Sequence, residues 1–329
     1  VCYNLECCLS RRGESWEPKP VPFRGEPDFL SIFPKARCKY VANLSNNHFL
    51  DYGEAAALDT VEALRAYDMD YFGVVGSVCD KPGYTILQTQ SGSIGLIGFA
   101  PSGHALPDAH HINVAATDAA SMASSVQLLK HQSDIVIVSL HQGVEYTRCV
   151  ERQCRLRAHK LVDAGADCIV CHHPHVIQGI EIYKNVPIFY SIGNFVIGAD
   201  FQRRPCARES LAVRVRLSNK KLIQAAVYPF LISDLLQPRP ATRAEKTRIR
   251  IETEQLSVAF QSRLTSHLGY LRCAGTKLLA RGISIYQMLR NRGLHTTTAY
   301  CRQRIAAKTR GSNAAYSRFN PVSSTKRGE

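Results

Sequence analysis

Residues 41–76 read VANLSNNHFLDYGEAAALDTVEALRAYDMDYFGVVG. Val41–Leu44 is a short apolar run, and the consecutive polar groups of Asn46-Asn47-His48 after it are poor sheet formers. That order predicts a strand running into a shaped loop. Glu54–Tyr67 places Leu58, Val61 and Leu64 about one turn apart, the spacing of an amphipathic helix, and Asp51-Tyr-Gly-Glu54 ahead of it reads as a capping box. A second apolar run, Tyr71–Val75, closes the unit. Strand, loop, helix and strand in succession are the signature of an alternating α/β fold.

The pattern continues downstream. Ile94–Phe99, Ile135–Leu140, Cys168–Cys171, Ile188–Ile192, Leu211–Leu217 and Leu222–Tyr228 are further apolar runs. Their near-continuous hydrophobicity predicts strands covered on both faces. Thr117–His131 and Arg152–Ala164 carry helical periodicity, the second stopped by Gly165. Beyond about residue 180 strands follow one another through turns, with Lys184-Asn185 and Asn219-Lys220 at the hairpin tips. Alternating β and α followed by an antiparallel meander predicts a layered α/β sandwich with two sheets. Pro238 and Pro240 mark a boundary, which divides the chain into a core of residues 1–234 and an extension of residues 235–329. Within the extension Ala244–Leu264 and Leu271–Arg290 read as amphipathic helices, and Thr309–Glu329 as disordered.

Composition narrows the classes of function. The chain has 329 residues, 45% hydrophobic and 21% charged, which excludes wholesale disorder. No apolar run approaches the roughly 18 residues of a membrane span. The chain opens on Val1 with no secretory pattern ahead of its first apolar segment, so it is expected to begin inside a fold; cytoplasmic, membrane-associated and extracytoplasmic locations all stay open. The 12 cysteines are scattered and several sit in apolar runs, which reads as buried free thiols of a reduced compartment rather than a disulfide framework. Cys168-x-x-Cys171 lacks the second pair that a structural zinc knuckle needs. The net charge of +14 is confined to the end of the chain. Residues 235–329 hold 18 of the 41 basic residues and 4 of the 27 acidic ones, leaving 23 of each sign in residues 1–234. Such an appendage fits an anionic polymer, an anionic membrane surface or a solvated tail, and its lack of interleaved aromatics argues against nucleic acid.

The chemically interesting residues stand immediately after apolar strands: Asn4-Leu5-Glu6, Asn46-Asn47-His48, His141 in SLHQG, and His173-Pro174-His175. Strand ends at one rim of an open α/β sheet converge on a crevice where ligands bind. Taken singly, Glu6 reads as a capped or solvated carboxylate, and His141 as a hydrogen-bonded core histidine. Together one carboxylate, one amide and several imidazoles form a mixed N/O donor set that suits Zn, Mn or Fe better than Mg or Ca. Pro174 restricts the backbone between His173 and His175 and can aim both rings at one site. His172 could point into the opposite layer, and His110-His111 read as surface residues.

These motifs, in order, carry a resemblance. Asn4-Leu5-Glu6, LSNNHFLDYGEAAALDTVEALRAYDMDYFGVVG at Leu44–Gly76, SLHQGVEY at Ser139–Tyr146 and HHPHVIQGIEIYKNVPIFYSIGNFV at His172–Val196 resemble the bacterial capsule-synthesis family, the CapA/PgsA group linked to poly-γ-glutamate capsule production. The resemblance implies the calcineurin-like metallophosphoesterase fold, a four-layer α/β/β/α sandwich with two divalent metals, Mn, Fe or Zn. Carried over by position, it implies Glu6 as bridging carboxylate, Asn47 as amide ligand, His141, His173 and His175 as imidazole ligands, and His48 as general acid. Asn4, Asp51, Glu145 and Asn194 come with the same motifs: Asp51 as a helix cap, Glu145 as a residue orienting a ligand histidine, and Asn194 as a loop-shaping or substrate-facing residue. The family normally opens with an apolar strand ending in Gly-Asp, expected to lie ahead of Val1, so this chain is expected to lack the first strand of the sandwich. Gln142 stands where relatives often carry an aromatic residue of the substrate wall.

The function implied is a metal-dependent, phosphoesterase-like hydrolase acting in capsule or poly-γ-glutamate synthesis. Its partners would be poly-γ-glutamate or capsular polysaccharide, or a capsule-synthesis complex, with the basic tail touching a membrane surface. A non-catalytic component of an anionic-polymer synthesis or export complex is the alternative.

Overall fold

A computed structural model describes residues 1–15, 21–34, 38–76, 83–101, 112–115, 118–198 and 205–260. The segments Leu271–Arg290, Thr309–Glu329 and His110-His111 lie outside the described residues. In chain order the strands and helices begin with β1 (Cys2–Asn4), β2 (Cys8–Leu9), β3 (Arg24–Gly25), β4 (Val41–Asn43), α1 (Gly53–Ala66), β5 (Asp70–Phe72) and β6 (Val74–Val75). Next come β7 (Tyr84–Thr89), β8 (Gly92–Phe99), β9 (Asn113–Val114), α2 (Ala119–Gln132), β10 (Ile135–His141), α3 (Arg152–Asp163) and β11 (Cys168–His172). The last are β12 (Ile180–Tyr183), β13 (Val186–Phe189), β14 (Glu209–Ser218), β15 (Lys221–Ile232), β16 (Pro238–Pro240) and α4 (Arg243–Ser257).

Two sheets face each other. The first, ordered β1-β4-β5, is wholly parallel. The second, ordered β12-β13-β11-β10-β8-β7, is parallel through its four central strands and antiparallel at both edges. Val41 and Phe72 of the first sheet pack on Leu96 of the second, with Leu87, Ile94 and Ile137 around them. On its other face the first sheet buries Ala42, Leu44 and Tyr71 against Ala57, Val61 and Leu64 of α1. Behind the second sheet Met122, Val126 and Leu129 of α2 and Cys154, Ala158 and Leu161 of α3 cover Val136, Val138 and Ile169. The result is the expected four-layer α/β/β/α order. Burial of each Val, Leu, Ile, Met or Phe side chain among these contributes about 1.5–3 kcal/mol.

Alternation positions these layers, and special backbone ends them. Gly165 follows α3 at φ 111°, a conformation that stops a helix cheaply only with glycine. Both expected hairpin tips, Lys184-Asn185 and Asn219-Lys220, have positive φ at each residue, as two-residue hairpin loops require. The strands β1, β2, β3, β7, β9 and β16 are additions to the sequence reading, and β16 pairs with β15 where a boundary after the last strand was expected. The hairpin β12–β13 is not part of a separate meander: β13 pairs in parallel with β11 and extends the second sheet. Apart from the two sheets of the sandwich, β14-β15-β16 forms a separate antiparallel sheet and β6-β9 a two-stranded one.

Two further expectations meet clear outcomes. The capping box at Asp51 does not form, because α1 starts at Gly53 with Tyr52 as its N-cap and no side-chain cap, while the Asp51 carboxylate is engaged elsewhere. A capping box does form at α4, where Thr242 and Glu245 exchange side-chain and backbone bonds. Ile249 of α4 packs with Ile177, Leu211 and Ala241. The nine described cysteines are free thiols, and burial pushes Cys168 up to about 12. No helix among the described residues is long and apolar enough to cross a membrane.

Candidate metal centre

Four strand ends deliver the site. β1 runs out at Asn4 and places Glu6, the loop after β4 carries Asn47 and His48, β10 ends on His141, and β11 leads into His173 and His175. Glu6, His173 and His175 each offer a ligand atom, and these atoms lie within 4.8 Å of one another. His141 Nε2 is 2.6 Å from Asn47 Oδ1 and 3.4 Å from Glu6 Oε1, and His175 Nε2 is 3.8 Å from the same Glu6 oxygen. The side chains predicted as ligands thus meet around Glu6.

Backbone strain accompanies this convergence. His173 has φ 98° and His175 φ 59°, left-handed values that L-residues adopt at a cost of about 1–3 kcal/mol each. Pro174 between them leaves the ladder, and the strained pair turns both rings toward Glu6.

Each first contact is held from behind. Asn43 donates to Asn4 Oδ1 at 3.0 Å, and Asn4 donates to Glu6 Oε2 at 2.9 Å, a relay that leaves Oε1 for the centre. Asn194 Oδ1 lies 2.8 Å from His175 Nδ1, and its amide nitrogen donates to the carbonyls of His175 and Ala207. An amide oxygen accepts only, so Nδ1 carries the hydrogen and Nε2 keeps its lone pair. Asn194 therefore orients His175 rather than lining a substrate surface. His48 Nδ1 lies 2.7 Å from Asp51 Oδ2, making Asp51 the partner of the histidine and not a helix cap. Glu145 departs from expectation: its side chain makes no hydrogen bond or ion pair with a site histidine among the described residues. Gln142 is buried, donating to the Cys154 carbonyl and accepting from Arg157, so it ties the loop to α3 instead of forming a substrate wall.

The electrostatics match a cation. Burial raises the Glu6 carboxyl, but the fields of His141, His175 and His48 outweigh it and hold the group well below the usual carboxylate range. Burial, reinforced by His141 and His175, keeps His173 well below the usual imidazole value, and burial brings His172 down to about 4. Neutral imidazole is the ligating form. Glu6 Oε1 and His173 Nδ1 are buried without a hydrogen-bond partner, as is His141 Nδ1. A buried carboxylate oxygen lacking a donor is costly unless a cation satisfies it. Glu6, His173 and His175, with His141 and Asn47 adjoining, therefore fit a divalent ion.

The sequence reading missed three contributors. Asn43 ends β4 as a polar residue in an apolar strand, which was a legible signal. Tyr146, whose ring centroid lies 5.7 Å from that of His175, and Phe23, stacked on His48, carried none.

Comparison with known proteins gives the lineage. The chain is 33% identical over 223 residues to the "Capsule biosynthesis protein CapA" of Bacillus anthracis, covering 64% of this chain and 52% of that protein. It is 32% identical over 227 residues to the "PGA biosynthesis protein CapA" of Bacillus subtilis, covering 67% of this chain and 59% of that protein. The chain thus spans somewhat more than half the length of these relatives. Among solved structures, a novel phosphatase from Mycoplasma pneumoniae aligns with TM-score 0.39 and 11% identity over 59% of this chain and 82% of that chain. The family described as bacterial capsule synthesis protein PGA_cap matches residues 1–199, the stretch that carries every ligand residue above, and the chain belongs to that family.

Proposed function

We propose that this chain is a metal-dependent hydrolase of the phosphoester type, serving in the synthesis of an anionic capsule polymer such as poly-γ-glutamate. The observation that supports it best is the convergence of Glu6, His173 and His175 within 4.8 Å around an unpartnered carboxylate oxygen. Membership of a capsule-synthesis family supports the biological setting.

In this reading Glu6, His173 and His175 hold one divalent ion, with His141 and Asn47 placed to share it or to hold a second. Such an ion supplies Lewis acidity, polarising a phosphoryl oxygen and making water a better nucleophile. His48 hands a proton to the leaving oxygen, and Asp51 keeps the imidazole oriented for that transfer. Residues 1–234 form the catalytic domain, and the basic extension of residues 235–329 holds an anionic polymer or a membrane partner.

Elemental analysis of the purified chain tests the centre. About one or two equivalents of Mn, Fe or Zn are expected, and the double variant His173→Ala, His175→Ala should retain neither. His48→Ala should keep its metal while losing phosphoester turnover. A chain free of metal in both forms would refute the centre. A metal-loaded chain inert toward phosphoesters would leave the non-catalytic polymer-complex role.

A further inference from the structure

Phe23 stands outside every motif, yet two of its groups meet the His48–Asp51 pair. Its ring stacks on the His48 imidazole with centroids 4.0 Å apart and planes 17° from parallel. Its backbone N–H donates at 2.7 Å to Asp51 Oδ2, the oxygen that also faces His48 Nδ1 at 2.7 Å. His48 and Asp51 are 5% and 2% exposed, so both contacts are made in a desolvated place. One residue thus holds the carboxylate through its main chain and the imidazole through its side chain.

What holds Phe23 is equally specific. The next two residues, Arg24–Gly25, pair in parallel with Cys8–Leu9. The buried Cys8 thiol donates to the Phe23 carbonyl at 3.6 Å. A Cβ at Gly25 would come within 2.9 Å of Leu9 Cδ2, so the close approach of this short ladder uses glycine. Cys8 lies two residues after Glu6. The segment that presents the carboxylate to the metal centre therefore also anchors the residue that clamps the acid.

We propose that Phe23 is a positioning residue for His48, fixing the ring orientation in which the imidazolium, its Nδ1–H on Asp51, gives its Nε2 proton to the leaving oxygen and is left as the neutral ring. This rests on the phosphoester reading above. A carboxylate only accepts, so Nδ1 carries a hydrogen toward Asp51, and the proton for the leaving oxygen is the second one of the protonated ring, on Nε2. Without the aromatic face the imidazole gains rotational freedom about its ring torsion, and the fraction of rings aligned for transfer falls.

Phe23→Leu removes the aromatic face while keeping the backbone N–H, and Phe23→Tyr keeps both. On an alkyl phosphate, whose alkoxide leaving group needs a proton, Phe23→Leu should lower kcat about 10-fold with KM within about 2-fold. With p-nitrophenyl phosphate, whose leaving group needs little help, the loss should stay within about 2-fold. Phe23→Tyr should restore turnover of the alkyl phosphate. Equal losses on both phosphates, or none, would overturn the proposal. A second readout needs no turnover: in chain carrying 15N-labelled histidine, with His48 assigned by a His48→Gln variant, the wild-type ring should show a slowly exchanging Nδ1–H, and in Phe23→Leu that hydrogen should exchange faster. An unchanged His48 signal would overturn the proposal. If the wild type turns over neither phosphate, the phosphoester reading falls, and the ring spectrum alone decides whether Phe23 orders His48.

Discussion

Glu181 of β12 is 7% exposed and takes hydrogen bonds from three side chains. Arg155 reaches Oε1 at 2.6 Å, while His159 Nε2 and the Tyr190 hydroxyl lie 3.0 Å and 2.6 Å from Oε2. Burial raises its carboxyl, but these partners outweigh burial and bring it to about 2 against an ordinary 4.5. At ~1.4 kcal/mol per tenfold change in proton affinity, that difference is worth at most about 3–4 kcal/mol. Arg155 and His159 keep 18% and 19% of their side chains in water. Screening there reduces the usable part to about 1–2 kcal/mol. The folded value lies below the unfolded one, so this stability is fully present above about pH 4.5 and drains away as pH falls toward about 2. Urea unfolding of the wild type and Glu181→Gln from about pH 6 down to about pH 3 measures it. The wild type should lose ~1 kcal/mol more than the variant over that range. At neutral pH the variant should be less stable by ~2 kcal/mol, because Arg155 loses its charged partner. Parallel pH curves for the two proteins would refute the reasoning.

Two further substitutions probe the framework. A Cβ at Gly98 would overlap Asn43 Oδ1, so Gly98→Ala should cost about 1–3 kcal/mol in urea unfolding. It should also weaken metal retention, since Asn43 steadies Glu6 through Asn4; unchanged metal content would separate that relay from the seam between the sheets. Thr242→Ala should cost about 1 kcal/mol and speed amide exchange chiefly within Arg243–Ser257, because it removes one half of the capping box. Uniform exchange across the chain would contradict a local cap.

Much of this protein is written locally. Val41–Leu44, Ile135–Leu140 and Cys168–Cys171 reveal themselves as strands because hydrophobicity and β-branching act over a few neighbours. Glu54–Tyr67 does so as a helix because its apolar positions recur each turn. Strand-end polarity likewise exposed Glu6, Asn47, His48, His141, His173 and His175, since a run of ligating side chains after an apolar strand has no use in the strand itself. What Asp51, Asn194 and Gln142 do was not legible. Asp51 precedes a helix in the way a cap does, and only the approach of His48 and Phe23 decides that its carboxylate bonds there. Asn194 reaches behind His175, and Gln142 turns inward to α3, because the loops that carry them pack against particular partners.

The amino-acid sequence by itself determined the alternation of strands and helices, the concentration of positive charge in residues 235–329 and which polar side chains follow the strands of the candidate centre, all of which follow from residue chemistry and short-range periodicity. Tertiary structure alone decided that β13 extends the second sheet, that the imidazole of His48 is clamped between Asp51 and Phe23, and that α4 buries Ile249 against Leu211. Each of those contacts joins residues distant along the chain, and only the closure of the two facing sheets selects them from the many pairings the same side chains could make.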